Sequence, residues 1–137
     1  MTNKKDLIPD IIDAIQDRKG KAVTIVDMSH IEAAPVPEFV IAEGSSTMNV
    51  AAIADSVREK LLETDGIKPY NYEGYTASEW IVLDYGSLLV HVFLPDARRR
   101  YCLEELWSDA RIKDMPDLDW LSSTTFNFTF HLISNKT

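Results

Sequence analysis

The sequence has little cysteine and no long apolar run, and each shortage excludes a class of protein. Its single cysteine, Cys102, cannot form a disulfide within the 137-residue chain, so a reducing compartment is expected. No apolar run approaches the roughly 18 residues that a membrane-spanning helix needs. Residues 1–21 carry acidic side chains and lack the continuous apolar core of a secretory leader. These features predict a cytoplasmic protein that does not associate with membranes.

Positive charge is also scarce. The chain has 14 Lys and Arg against 22 Asp and Glu, which gives a net charge of −8. Phosphate backbones repel such a chain, so direct sequence-specific binding of nucleic acid is not expected. A basic protein surface is the more natural partner. The hydrophobic content of 45% and the charged content of 26% are ordinary for a globular protein, and the length suits one core.

Recognised catalytic motifs are missing from the sequence. It contains no Walker loop and no Gly-x-Gly-x-x-Gly segment. Its histidines, at 30, 91 and 131, have no spacing typical of a metal site, so neither metal nor cofactor is expected. Asp27 and Asp84 each end a predicted strand, where catalytic carboxylates and turn anchors are equally common. Nothing here points positively to an enzyme.

One enzymatic alternative involves the turn at Gly44 and Ser45. This turn lies between a predicted strand and a predicted helix, and free amides at a helix N-terminus bind anions. Nucleotide-transferring enzymes use a Gly-Ser pair in such a turn, followed by paired aspartates that hold magnesium. No Asp-x-Asp follows here, because the next acid is Asp55, inside the helix. Helix capping by the serines is therefore the favoured interpretation.

Hydrophobic periodicity predicts an α/β fold. Apolar spacing and turn residues predict a helix at 7–19, strands at 22–28 and 38–43, a helix from a cap at 45–47 to Gly66, a loop at 68–78, a hairpin of strands at 80–84 and 88–94, and a helix at 97–111. The hairpin strands are apolar on successive residues, which is typical of central strands covered on both faces. Alternating apolar residues from Phe126 to Leu132 predict an extra C-terminal strand. We expect a single domain with a mixed β-sheet flanked by helices in α-β-β-α-β-β-α order.

The region 79–107 is rich in tryptophan, tyrosine and arginine, the residue types enriched at protein-interface hot spots. Trp80 and Tyr85 stand at the two ends of one strand, where burying both is difficult. Trp107 lies on an apolar stripe and is expected in the core. His91 is flanked by valines in mid-strand, so a partly buried structural role is the favoured interpretation. The region as a whole favours a binding surface over a catalytic site.

This region resembles the ribosomal silencing factor family, also called Iojap-like proteins. The segments that carry the resemblance are "EG" (73–74), Trp80, "DYG" (84–86), "VHVF" (90–93), the arginines at 98–99, Tyr101 and "LEELW" (103–107), with "IVDM" (25–28), "FVIAEGSS" (39–46) and "IADSV" (53–57) upstream. The resemblance covers residues 5–112. Each segment alone is common, whereas their combination at fixed spacing is highly specific.

The resemblance implies a small α/β domain related in fold to nucleotidyltransferases but without catalytic activity. Family members bind the large ribosomal subunit through its ribosomal protein fourteen, block joining with the small subunit and repress translation when nutrients are scarce. An acidic chain suits such a basic partner. Residues 1–116 are expected to form this domain. Residues 117–137 form an extension that could add an edge strand or assist self-association, for example as a homodimer of the free protein.

The resemblance also selects candidate partner-binding residues. Trp80 and Tyr101 match aromatic positions of the family motif, and Tyr85 fills the variable position between aspartate and glycine. We expect these three side chains to form the aromatic centre of the surface, with Arg98 and Arg99 nearer its rim. Asp84 and His91 also match the family motif, and each serves either the fold or binding. The complete candidate set is Trp80, Asp84, Tyr85, His91, Arg98, Arg99 and Tyr101.

Overall fold

The computed structural model describes residues 6–106 and 109–118. Its elements are α1 (Ile8–Asp17), β1 (Lys21–Asp27), β2 (Glu38–Glu43), α2 (Thr47–Asp65), β3 (Asn71–Glu73), β4 (Trp80–Asp84), β5 (Leu88–Phe93), α3 (Pro95–Tyr101), α4 (Leu103–Leu106) and β6 (Arg111–Asp114). The strand predicted between Phe126 and Leu132 and the core position predicted for Trp107 lie outside the described residues. No helix in the described ranges is long and apolar enough to cross a membrane.

The six strands form one sheet in the order β3-β4-β5-β2-β1-β6. β2 and β5 pair in parallel, and all other neighbours pair antiparallel. The parallel pair arises because the long helix α2 carries the chain away from the end of β2 before the β4–β5 hairpin returns it to the sheet. The predicted single-domain α/β fold with a mixed sheet is confirmed.

Two predicted segments differ from the structure. The predicted loop at 68–78 contains the short edge strand β3. The predicted helix at 97–111 is wrong in its second half. There, Cys102 takes a left-handed conformation (φ 45°) that ends α3, a single turn of α4 follows, and residues 111–114 form β6 along the free edge of β1. Both added strands are short and fully exposed, so neither has an apolar pattern that reveals it.

Each face of the sheet is covered by a different layer. The main core lies between the sheet and helices α1 and α2, where the predicted inward residues of α2 are completely buried. Those residues are Val50, Ile53, Ala54, Val57 and Leu61. A smaller core lies on the opposite face, beneath α3, α4 and the loop that joins β1 to β2. Successive residues of β5 therefore enter different cores, as predicted for a central strand.

Candidate protein-binding face

Trp80 lies on the face of the sheet opposite α1 and α2, where its ring contacts two other rings. Its centroid lies 5.0 Å from that of Phe93, at an interplanar angle of 22°. The Tyr101 ring, carried by α3, lies 4.6 Å from the Trp80 ring at an interplanar angle of 41°. Trp80 is half-buried, whereas Tyr101 is 46% exposed. The structure thus brings together two of the three predicted central aromatics.

The surroundings of this stack are apolar. Strand alternation and the β4–β5 register place the half-buried Val82 and Leu89 on the same face as Trp80. We call Trp80, Val82, Leu89 and Tyr101 the aromatic face. The residue types enriched at hot spots do not include its two aliphatic members, Val82 and Leu89. The signal was present, because Val82 is two positions from Trp80 in one strand and therefore shares its face.

Gly74 allows the turn after β3 to pass close to the backbone of Trp80. A Cβ atom at residue 74 would lie 2.0 Å from the carbonyl oxygen of Trp80, and φ of Gly74 is +101°. Only glycine fits both the close approach and the backbone conformation. The "EG" segment recognised in the sequence therefore lets β3 and its turn pack against the start of β4, where Trp80 begins the strand.

His91 lies beneath the aromatic face and contacts Trp80 through a hydrogen bond. The indole Nε1 of Trp80 donates to Nδ1 of His91 over 3.0 Å. Nδ1 accepts, so the neutral ring carries its proton on Nε2. The expected structural burial is confirmed, with 4% of the residue exposed, and this burial lowers the pKa of His91 to about 4.

The second nitrogen of His91 has no hydrogen-bond partner among the described residues, although it is buried. Phe39 packs edge-on against the imidazole, with 4.7 Å between the ring centroids. An unpaired buried donor costs about 1–3 kcal/mol. His91 therefore lowers the stability of the fold at one nitrogen while it holds Trp80 with the other.

Tyr85 does not join the aromatic face, which corrects the prediction of a three-residue centre. It is 6% exposed and packs in the main core with Ile81 and Leu83. The reason is the two-residue period of a strand. Tyr85 directly follows β4, an odd number of positions after Trp80, so the two side chains lie on opposite faces of the sheet. Burial raises the pKa of the Tyr85 hydroxyl to about 12.

Arg98 does not lie at a rim, which is a second correction. It is 8% exposed and reaches into the sheet. Its Nη1 donates to the carbonyl oxygen of Ala22 (2.6 Å) and to the Glu43 carboxylate (3.2 Å), and its Nη2 donates to Thr24 Oγ1 (2.8 Å). Arg98 therefore ties α3 to the irregularity in the β1–β2 pairing near Ala22.

Arg99 is exposed and forms an ion pair with Asp96, one helical turn earlier in α3. Arg100 is exposed too, and its guanidinium carbon lies 5.8 Å from the centre of the Tyr101 ring. Exposed pairs of this kind add little stability. Both arginines are exposed on α3, and Arg100 lies beside Tyr101 of the aromatic face. The rim position expected for Arg99 stays a prediction.

The two strand-ending carboxylates act as turn anchors. Asp84 accepts a hydrogen bond of 2.8 Å from the amide of Gly86, inside the β4–β5 hairpin. Asp27 accepts from the amide and the hydroxyl of Ser29 (2.9 and 2.7 Å), and these hydrogen bonds lower the pKa of the Asp27 carboxyl. Within residues 6–106 and 109–118, no three His, Cys, Asp or Glu side chains are grouped to hold a metal ion.

The Gly44–Ser45 turn is a helix cap, as the favoured interpretation predicted. Ser46 Oγ accepts from the amide of Asn49 over 3.1 Å, and the Asn49 side chain in return accepts from the amide of Ser45 over 2.9 Å. A Cβ atom at Gly44 would lie 2.9 Å from the amide nitrogen of Val50. The turn packs tightly on its own helix, and two of its amides are already bonded. A nucleotide site here gains no support.

The mixed sheet, the two layers that cover it and the partly exposed aromatic face define a small α/β domain with a candidate protein-binding surface. A family model described as "Ribosomal silencing factor during starvation" matches residues 1–129. This chain belongs to that family.

Individual proteins agree with this assignment. The chain is 34% identical over 108 residues to the ribosomal silencing factor RsfS of Halalkalibacterium halodurans, across 79% of this chain and 91% of that protein. A crystal structure of a Chromobacterium violaceum protein is 34% identical and superposes with a TM-score of 0.71, over 78% of this chain and 88% of the other. A mouse protein named mitochondrial assembly of ribosomal large subunit protein 1 is 35% identical over 72 residues, which is 51% of this chain and 32% of the mouse protein.

Proposed function

We propose that this chain binds the large ribosomal subunit through ribosomal protein fourteen and blocks its joining with the small subunit. It thereby represses translation when nutrients are limiting, in the cytoplasm and without catalysing a reaction. The observation that carries the proposal is the half-buried Trp80, in contact with the Phe93 and Tyr101 rings, on a chain of the ribosomal silencing factor family. The name of the mouse relative supports the large subunit as the partner.

The aromatic face is suited to docking because it is ordered before a partner arrives. Contacts with two rings and a hydrogen bond from its nitrogen hold the Trp80 indole. Little side-chain freedom is then lost on binding, which leaves more of the contact energy as affinity. Tryptophan and tyrosine at the centre of an interface supply most of its binding energy. We therefore place Trp80 and Tyr101 at the centre of the contact.

Charge and size support the same proposal. A net charge of −8 attracts a basic ribosomal protein and accelerates encounter. A globular domain of this length has a radius of gyration of about 14 Å. A body of that size, seated on a surface that two subunits must bring together, holds them apart. Repression then needs no bond to be made or broken.

The test is co-sedimentation of the full chain with purified ribosomal subunits. We expect the wild-type chain to migrate with the large subunit and not with the small subunit. The Trp80→Ala variant should lose at least about 2 kcal/mol of binding energy, roughly thirtyfold in affinity. Its circular dichroism and unfolding midpoint establish that it is folded. Equal affinity of a folded Trp80→Ala variant would contradict the proposed contact, and co-migration with the small subunit would contradict the proposed partner.

A further inference from the structure

We infer that His91 is a positioning residue, whose Nδ1 fixes the direction of the Trp80 indole on the aromatic face so that this ring is presented to the partner in one orientation. The effect on docking rests on the proposed function. The positioning itself is a property of the free chain and can be measured without any partner.

Stacking alone does not determine how the indole lies. Phe93 and Tyr101 both contact the Trp80 ring, at interplanar angles of 22° and 41°, and so restrict its plane. The two faces of an indole stack equally well on a neighbouring ring. These contacts therefore do not determine the direction in which the indole N–H points. The hydrogen bond of 3.0 Å to His91 Nδ1 removes this freedom, because it requires Nε1 to point toward β5. One acceptor thus selects one ring orientation.

The chemistry of His91 supports a role beyond packing. The imidazole is 4% exposed, and Nε2 has no partner in the described part of the chain. For stability alone, an apolar side chain of similar shape would suit this site better, since a partly satisfied buried polar group is unfavourable. The hydrogen bond that His91 accepts from Trp80 accounts for the presence of a polar group here. Burial also keeps the ring neutral, so Nδ1 stays an acceptor at physiological pH.

Two substitutions separate the two nitrogens of His91. The side-chain oxygen of asparagine occupies the place of Nδ1, so His91→Asn retains the acceptor for Trp80. The longer amide of glutamine reaches the place of Nε2 instead, so His91→Gln loses that acceptor while it stays polar. His91→Leu removes both nitrogens at similar volume. The three variants form a matched set in which only His91→Asn preserves the hydrogen bond.

The first measurement uses the indole ¹H–¹⁵N cross-peak of Trp80 in the full-length chain. The chain has three tryptophans, and the peak that disappears in Trp80→Phe identifies the one required. We expect the peak to move upfield and its heteronuclear NOE to fall in His91→Leu and His91→Gln, and both to stay near wild type in His91→Asn. An unmoved peak in His91→Leu, or equal shifts in all three variants, would overturn the inference. If His91→Leu does not fold, comparing the indole peak of His91→Asn with that of His91→Gln tests the inference.

The second measurement is affinity for the large subunit. We expect His91→Gln and His91→Leu to bind about threefold to tenfold more weakly, because a freed side chain must be ordered on binding. His91→Asn should bind like wild type, and the unfolding midpoint of His91→Leu should not fall. Wild-type affinity in His91→Leu, when Trp80→Ala does bind weakly, would overturn the docking part. If neither variant affects binding although the indole peak responds, the proposed function fails and the positioning stands.

Discussion

Arg98 and Arg99 are adjacent in the sequence, yet their side chains lie in different environments. Each step along a helix turns about 100°, so one arginine of α3 faces the sheet and its neighbour faces water. The arginine triplet alone does not tell which one is buried. That depends on where α3 crosses the sheet, and on the irregular pairing near Ala22, which leaves a carbonyl oxygen for Arg98 to bond.

Removing the buried arginine should destabilise the fold. In Arg98→Ala, the Ala22 carbonyl and the Thr24 hydroxyl each lose a hydrogen-bond donor, and Glu43, whose side chain is 24% exposed, loses its counter-charge. We expect a loss of about 2–3 kcal/mol in the free energy of unfolding, measured by urea denaturation. Arg99→Ala is the matched control and should change it by less than about 0.5 kcal/mol. Similar losses in the two variants would contradict the structural role of Arg98.

The buried histidine should make folding stability depend on pH. The pKa of His91 falls from 6.5 in the unfolded chain to about 4 in the folded chain. Between those values the unfolded chain binds the extra proton, so acid favours unfolding. The contribution of neutral His91 to the free energy of unfolding is complete above pH 6.5 and is lost as the pH falls toward 4. The loss from this residue amounts to about 2 kcal/mol by about pH 5.

Urea denaturation of wild type and His91→Asn at several pH values checks this expectation. Other titrating groups are common to the two proteins, so the difference between their stability curves isolates residue 91. Wild type should lose stability more steeply below pH 6.5. Parallel curves over the whole range would show that His91 does not change its pKa on folding.

Helices α1 and α2 and the four central strands were predictable because each has a strong local pattern. In α2 the apolar stripe, the serine cap and the terminal Gly66 all agree, and the observed helix matches the prediction. The edge strands β3 and β6 were not predictable from the sequence. Each is short and exposed, and each exists only because a neighbouring strand offers free backbone groups. Their formation is decided by tertiary pairing.

The aromatic face was half predictable for a related reason. The residue types enriched at hot spots identified Trp80 and Tyr101 correctly as neighbours. Tyr85 was assigned to the same surface although its odd spacing from Trp80 places it on the other face of the sheet. Strict use of the two-residue period would have excluded Tyr85 and included Val82. The contact between Trp80 and Tyr101 depends on the path of α3 across the sheet, and no local sequence pattern predicts that path.

The two faces of the sheet offer a matched pair of tyrosines for testing which face docks. Tyr101 is 46% exposed beside Trp80, and Tyr72 is 47% exposed on the α2 side, where Arg58 lies over its ring. We expect Tyr101→Ala to weaken large-subunit binding by about tenfold or more, and Tyr72→Ala to leave it unchanged. Binding titrations by sedimentation measure both. A greater loss of affinity in Tyr72→Ala would show that the docking surface lies on the other face of the sheet.

At the scale of the whole molecule, the features combine into a small, acidic, ordered body. Two cores on opposite faces of one sheet hold the chain in a single shape. Trp80 and Leu89 of the aromatic face pack against the smaller core, so these side chains are anchored by the packing that stabilises the fold. A rigid domain that binds through one face is sufficient to obstruct a neighbouring surface, provided that it binds at the surface where the two subunits would meet.

Subunit joining in the presence of this chain tests that idea most directly. Purified large and small subunits are mixed with increasing amounts of the full-length protein, and the fraction of joined particles is measured by sucrose-gradient sedimentation. We predict that this fraction falls toward zero as the large subunit becomes saturated, and that Trp80→Ala requires roughly thirtyfold more protein for the same effect. Undiminished joining while the chain saturates the large subunit would contradict the account.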